Sequence, residues 1–174
     1  MRRQTLAAVL AGAMCTALVF AAIAVAQTVE GTQGSDTLNG TEAADKIVAK
    51  KGADTVNALG GDDKVWTGRG ADTANGGLGN DTLGGKADRD DLNGDEGNDF
   101  LAGGRGVDDL DGGVGDDTIK GRGDGKAADN IICGDGIDTV RADRNDVVPE
   151  RRQLRDRGAH RRQCEGAEVR LTFR

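Results

Sequence analysis

The chain has 174 residues, 29 of them glycine, with one proline, no tyrosine, three phenylalanines and one tryptophan. So few aromatics exclude a conventional core, because the apolar surface that could offset chain entropy is small. Charged residues make up 30% and the formal net charge is −7, which excludes a basic nucleic-acid binder; either the chain is disordered or something other than a core holds it.

The first predicted element is a leader over residues 1–26. "MRRQ" is a basic head, "TLAAVLAGAMCTALVFAAIAVA" an uncharged, largely apolar run, and Ala24-Val25-Ala26 the small-residue pattern of a signal-peptidase site. The run is also long enough for a membrane anchor, but the head and the A-x-A end favour cleavage near Ala26 and a secreted, extracellular product. Cys15 is no lipidation site, because Met14 before it is too large.

A repeat follows. Aspartate stands at 36, 45, 54, 63, 72, 81, 90, 99, 108 and 117, every step nine residues. Two places after each is an apolar residue, from Leu38 to Ile119, and two places before each is glycine, except at Ala43 and Asp88. After Ile119 the phase slips by three through "GRGDGKAADN", then resumes at Asp129 and Asp138, with a weak last copy at Asp146 and Val148. Each unit reads as a glycine-rich turn and a three-residue strand with one inward apolar side chain. Two units make one flattened coil, so the expected fold is all-β, a parallel β-solenoid of about six two-turn coils over 27–148.

A thin apolar seam cannot order so long a chain at about 1–2 kcal/mol per residue. Stacking also sets like charges roughly 5 Å apart, which costs about 3 kcal/mol per neighbouring pair at an effective dielectric of 20. A divalent cation between the carboxylates reverses that sign. Carboxylate and carbonyl oxygens suit calcium; zinc would want Cys or His, and His160 is the only histidine.

The turns sort onto two edges. One carries Asp45, Asp63, Asp81, Asp99, Asp117 and Asp138, in turns such as "GGLGND" and "GDEGND". The other carries Asp36, Asp54, Asp72, Asp90, Asp108 and Asp129, with Lys51, Arg69, Arg89 and Arg105 in its loops. The first edge is expected to bind calcium more strongly, with basic side chains partly replacing ions on the second; the alternative is that all turns bind alike.

"GGLGNDTLG" (76–84), "GGRGVDDLD" (103–111) and "GGVGDDTIK" (112–120) resemble the haemolysin-type, or RTX, calcium-binding nonapeptide G-G-x-G-x-D-x-U-x. The resemblance implies a right-handed parallel β-roll with calcium between successive turns, held by the motif aspartate and carbonyls of the glycine turn. The implied ligands are Asp63, Asp81, Asp99, Asp117 and Asp138 with Gly77, Gly79, Gly97, Gly113 and Gly115 on the stronger edge. Asp36, Asp54, Asp72, Asp90 and Asp108 serve the weaker one.

Other motifs carry less. "DLNGDEGNDFLA" (91–102) starts like an EF-hand loop but has Glu96 at position six and Ala102 at position twelve. Arg122-Gly123-Asp124 is an adhesion-type triplet in a chain rich in all three residues. Trp66 lies beside the inward Val65, so it is expected on the outer face, packed against a neighbouring turn. Ser35 is the only serine, and no nucleophile has a partnered base, so no catalytic residues are assigned and an enzyme is not expected.

From Arg141 to Arg174 there are 10 basic and 6 acidic residues, against 11 and 24 from Gln27 to Val140. Pro149 is expected to begin a short helix in an arginine-rich cap over 149–174. Export to an oxidising compartment makes a Cys133–Cys164 disulfide the natural reading, and the resemblance implies a similar pairing at the end of exported repeat proteins. The expected function is an exported calcium-binding roll whose folding follows ion binding, with a structural or interaction role. Alternatives are a cell-surface adhesion module on the same scaffold and a fragment of a toxin or secreted hydrolase.

Overall fold

The computed structural model describes residues 25–121, 127–143 and 145–148. Thirteen strands follow in chain order: β1 Thr28–Glu30, β2 Thr37–Asn39, β3 Lys46–Lys51, β4 Thr55–Asn57, β5 Lys64–Arg69, β6 Thr73–Leu78, β7 Thr82–Ala87, β8 Asp91–Glu96, β9 Phe100–Arg105, β10 Asp109–Asp111, β11 Thr118–Lys120, β12 Asn130–Ile132 and β13 Thr139–Arg141. Odd strands form one parallel sheet in the order β1-β3-β5-β7-β9-β11-β13, and even strands the other, β2 to β12. This is the predicted all-β parallel solenoid, consistent with a β-roll.

The core is the seam between the sheets. Ile47, Val65, Leu83, Leu101, Ile119 and Val140 face inward from one sheet; Val56, Ala74, Leu92, Leu110 and Ile131 answer from the other, all at most 1% exposed. Register keeps like residues stacked, as in Leu83↔Leu101 and Ala74↔Leu92.

Three features differ from the expectation. First, β3, β5, β6, β7, β8 and β9 are six residues long, not three. They run on into the glycine half of the unit, and their burial alternates so that a second column points inward. Ala49, Ala58 and Thr67 belong to that column, and Cys133 and Ala142 occupy the equivalent place further along. Second, the ladder begins one strand before the unit of the first repeat aspartate, Asp36: β1 pairs with β3, Val29 against Ile47. Third, the slip of three residues disturbs no pairing. Leu110 still meets Ile131 and Ile119 meets Val140. The weak last copy is real, since Val147 bridges Asn130 and Val148 packs against the core.

Trp66 lies half-buried on the outer face of β5, in register with Gly84. A Cβ at Gly84 would sit 3.2 Å from its Cδ1, so the indole covers the neighbouring strand. The leader up to residue 24, Arg122-Gly123-Asp124, His160, Cys164 and the expected cap lie outside the described residues. Among the described residues no helix is long and apolar enough to cross a membrane.

Candidate metal centre

Let each nine-residue unit be numbered so that its aspartate is position six. Each aspartate then enters a strand at the rim, where its backbone is anchored by the ladder. From Asp45 onward, Oδ1 of each one accepts the N–H of the position-six residue one coil earlier. The bonds run from Gln27 N–H on Asp45 (2.5 Å) through Asp63 on Asp81 (2.8 Å), Asp81 on Asp99 (2.7 Å) and Asp99 on Asp117 (2.8 Å) to Asp129 on Asp146 (3.1 Å). The 21-residue steps Asp108 on Asp129 and Asp117 on Asp138 keep the same bond at 2.9 Å. Half of every carboxylate is therefore structural, a role that a reading of the aspartates as ligands alone misses. Gln27 holds the first rung without being an aspartate, which is why the nine-residue column of acids did not show it.

The other oxygen is different. Oδ2 of Asp54, Asp63, Asp72, Asp81, Asp90, Asp99, Asp117 and Asp138 is buried and accepts no hydrogen bond. These side chains come from residues at most 2% exposed. Burial is the leading cause that pushes the carboxyls of Asp63, Asp72, Asp81, Asp90, Asp99, Asp117 and Asp138 upward, partly offset by the N–H bond at Oδ1. Asp63 and Asp117 are raised to about 6, Asp99 to about 7 and Asp90 to about 8. Asp72, Asp81 and Asp138 shift the same way for the same first reason.

The turns around these oxygens share one backbone form. Positions two and four both have φ > 0 in nine turns among the described residues, from Lys50 and Gly52 to Gly134 and Gly136. The predicted glycines fall on them: Gly77 (104°), Gly79 (122°), Gly97 (142°), Gly113 (98°) and Gly115 (138°). At Gly97 a Cβ would lie 1.8 Å from the Gly79 carbonyl oxygen, so coil stacking as well as torsion demands glycine. Position one adds space beside the carboxylate: a Cβ at Gly76 would sit 2.4 Å from Asp81 Oδ2, and one at Gly94 2.4 Å from Asp99 Oδ2. An orphaned anionic oxygen in a cradle that any side chain would fill suits a cation of hard-ligand preference. Among the described residues no three Asp, Glu, His or Cys side chains converge on a single metal-sized point. An ion here must therefore take carbonyl oxygens together with carboxylates, which favours calcium over zinc.

Orphaned oxygens occur on both edges, at Asp63, Asp81, Asp99, Asp117 and Asp138 and at Asp54, Asp72 and Asp90. What distinguishes the first edge is position five. Asp62 Oδ1 accepts Asn80 N–H (2.8 Å), Asn80 accepts Asn98 N–H (2.9 Å), Asn98 accepts Asp116 N–H (2.7 Å) and Asp116 accepts Ile137 N–H (2.8 Å). These Asx residues tie coil to coil. On the second edge Arg89 pairs with Asp109 at 2.7 Å, on the sheet face, rather than with a motif aspartate.

Asp36 also departs from its assigned role. Its Oδ2 accepts both the N–H (2.6 Å) and the hydroxyl (2.9 Å) of Thr32. Cys133 is fully buried at the end of the core, and its expected partner Cys164 lies outside the described residues.

A family model described as the RTX calcium-binding nonapeptide repeat (4 copies) matches residues 26–56, 48–83 and 84–119, more than half of the chain. No curated protein matches the chain in sequence.

Proposed function

The chain belongs to the RTX calcium-binding nonapeptide repeat family, and on that premise we propose that it is an exported structural protein whose roll closes only when calcium enters its turns. The observation that carries this reading is the row of buried carboxylate oxygens without donors. Leaving a buried acceptor unsatisfied costs about 1–3 kcal/mol, more when it is charged. Eight such groups together reach or exceed the roughly 5–15 kcal/mol by which ordinary domains are stable. Bound calcium would supply the missing positive charge and accept oxygens from successive coils. The chain's own part is to hold Asp54, Asp63, Asp72, Asp81, Asp90, Asp99, Asp117 and Asp138 at fixed spacing, with Oδ1 anchored and Oδ2 turned inward. Asp108 follows a turn of the same backbone form, with Gly104 and Gly106 at positions two and four.

The direction of control follows from concentration. In calcium-poor solution the acidic chain stays loose; in calcium-rich solution outside the cell it orders. A leader cleaved near Ala26 and a Cys133–Cys164 bridge fit an extracellular product, and the roll then acts as a scaffold without chemistry of its own. The test is far-UV circular dichroism of the mature chain during a calcium titration, followed by chelation, with Trp66 fluorescence in parallel. Strand signal that rises with calcium and disappears with chelator supports the reading. A chain equally ordered in both conditions refutes it. N-terminal sequencing of the secreted product should begin at Gln27, and thiol alkylation before and after reduction should reveal two masked cysteines.

A further inference from the structure

The first two turns of the roll are built differently from those that follow. Positions two and four are Thr32 and Gly34 in one, Thr41 and Ala43 in the other, and none of the four has positive φ. A threonine is β-branched, and the left-handed region is closed to it by its own side chain. In the nine turns with positive φ, position two is glycine or a residue not branched at Cβ, such as Leu59, Lys86 or Asp95, with φ of 81°, 83° and 69°. The threonine turns take another path, and the result is chemical. Thr32 donates its N–H and hydroxyl to Asp36 Oδ2 at 2.6 and 2.9 Å. Thr41 does the same to Asp45 Oδ2 at 2.6 and 3.0 Å. The oxygen that is bare at Asp54, Asp63, Asp72, Asp81, Asp90, Asp99, Asp117 and Asp138 has two donors in these.

We propose that Thr32 and Thr41 determine where calcium binds: they close the first two turns against the ion, so that its sites begin with the turns of Asp54 and Asp63. Two hydrogen bonds from the turn itself stand in for the cation, and the first coil is complete without metal. The aspartates of these turns keep their stacking role, since Asp45 Oδ1 accepts Gln27 N–H and Asp36 N–H goes to Asp54 Oδ1 (2.8 Å). This partition rests on the calcium reading above. It goes beyond it by dividing identical aspartates into two classes through the residue at position two.

The experiment counts calcium bound per full-length mature chain, by elemental analysis after gel filtration in calcium. Thr32→Gly/Thr41→Gly is expected to bind one or two more ions than wild type. Asp36→Asn/Asp45→Asn, in the wild-type background, is expected to leave the count unchanged, whereas Asp81→Asn/Asp99→Asn lowers it. The asparagine pair keeps the test decisive if the glycine pair folds poorly. Loss of calcium in Asp36→Asn/Asp45→Asn, or a glycine pair that folds and binds no more than wild type, overturns the partition alone. A wild-type chain that binds no calcium overturns the calcium reading and the partition with it.

Discussion

Asp99 shows how one side chain serves two functions with two oxygens. Oδ1 takes the Asp81 N–H at 2.7 Å and Oδ2 faces inward without a donor. Asn in its place keeps a carbonyl oxygen for the ladder and removes the charge. Asp99→Asn is therefore expected to lose calcium, yet to shift the calcium-free folding equilibrium toward the ordered state by about 1–2 kcal/mol, since an orphaned anion is gone. Asp99→Ala should lose both, and calcium counts together with the residual strand signal in chelator separate the two. The raised carboxyls set the pH response. A carboxyl that titrates higher when folded holds its proton in the folded state, so stability falls as pH rises above the unfolded value of 3.8. The loss is complete once pH passes the folded values, about 6 for Asp63 and Asp117, 7 for Asp99 and 8 for Asp90. In chelator, strand signal is expected to return in part on acidification from pH 8 toward 5. With calcium the order reverses, because protons compete for the same oxygens.

At the level of the strand and turn, the nine-residue spacing made part of the design legible. Three columns in phase announced strand, turn and the inward Leu, Ile and Val. Strand length was not legible, because the second inward place, position one, holds only Ala49, Thr67 or a glycine in the long strands, and no large apolar side chain marks it. The closed turns were hidden for a related reason. Thr32 and Thr41 break none of the three columns of the repeat, so only their torsions and donors single them out. Asn80 and Asn98, beside the motif aspartates, accept N–H groups from the next coil, a role that residue type alone does not announce. Asn98→Ala should therefore destabilise the roll by about 1 kcal/mol and leave the calcium count unchanged. Leu101→Ala, between Leu83 and Ile119 in the seam, is expected to cost about 2–5 kcal/mol. Denaturant titrations in saturating calcium measure both.

Over the whole molecule, each coil touches mainly its neighbours, so order spreads along the axis as in other solenoids. One prediction belongs to this scale: removal of calcium should shift the unfolding of the entire roll, seen by dichroism, and not only the signal of Trp66. The pairing around the phase slip carries a practical consequence. Asp90 N–H reaches Asp108 across 18 residues, while Asp108 reaches Asp129 across 21, with bonds of 3.0 and 2.9 Å. Three additional residues thus enter between β11 and β12 without shifting a single rung. The connection is a natural seat for grafted sequence, and an epitope or small reporter inserted between Gly121 and Ala127 should be carried on the rim while the sheets on either side keep their alignment.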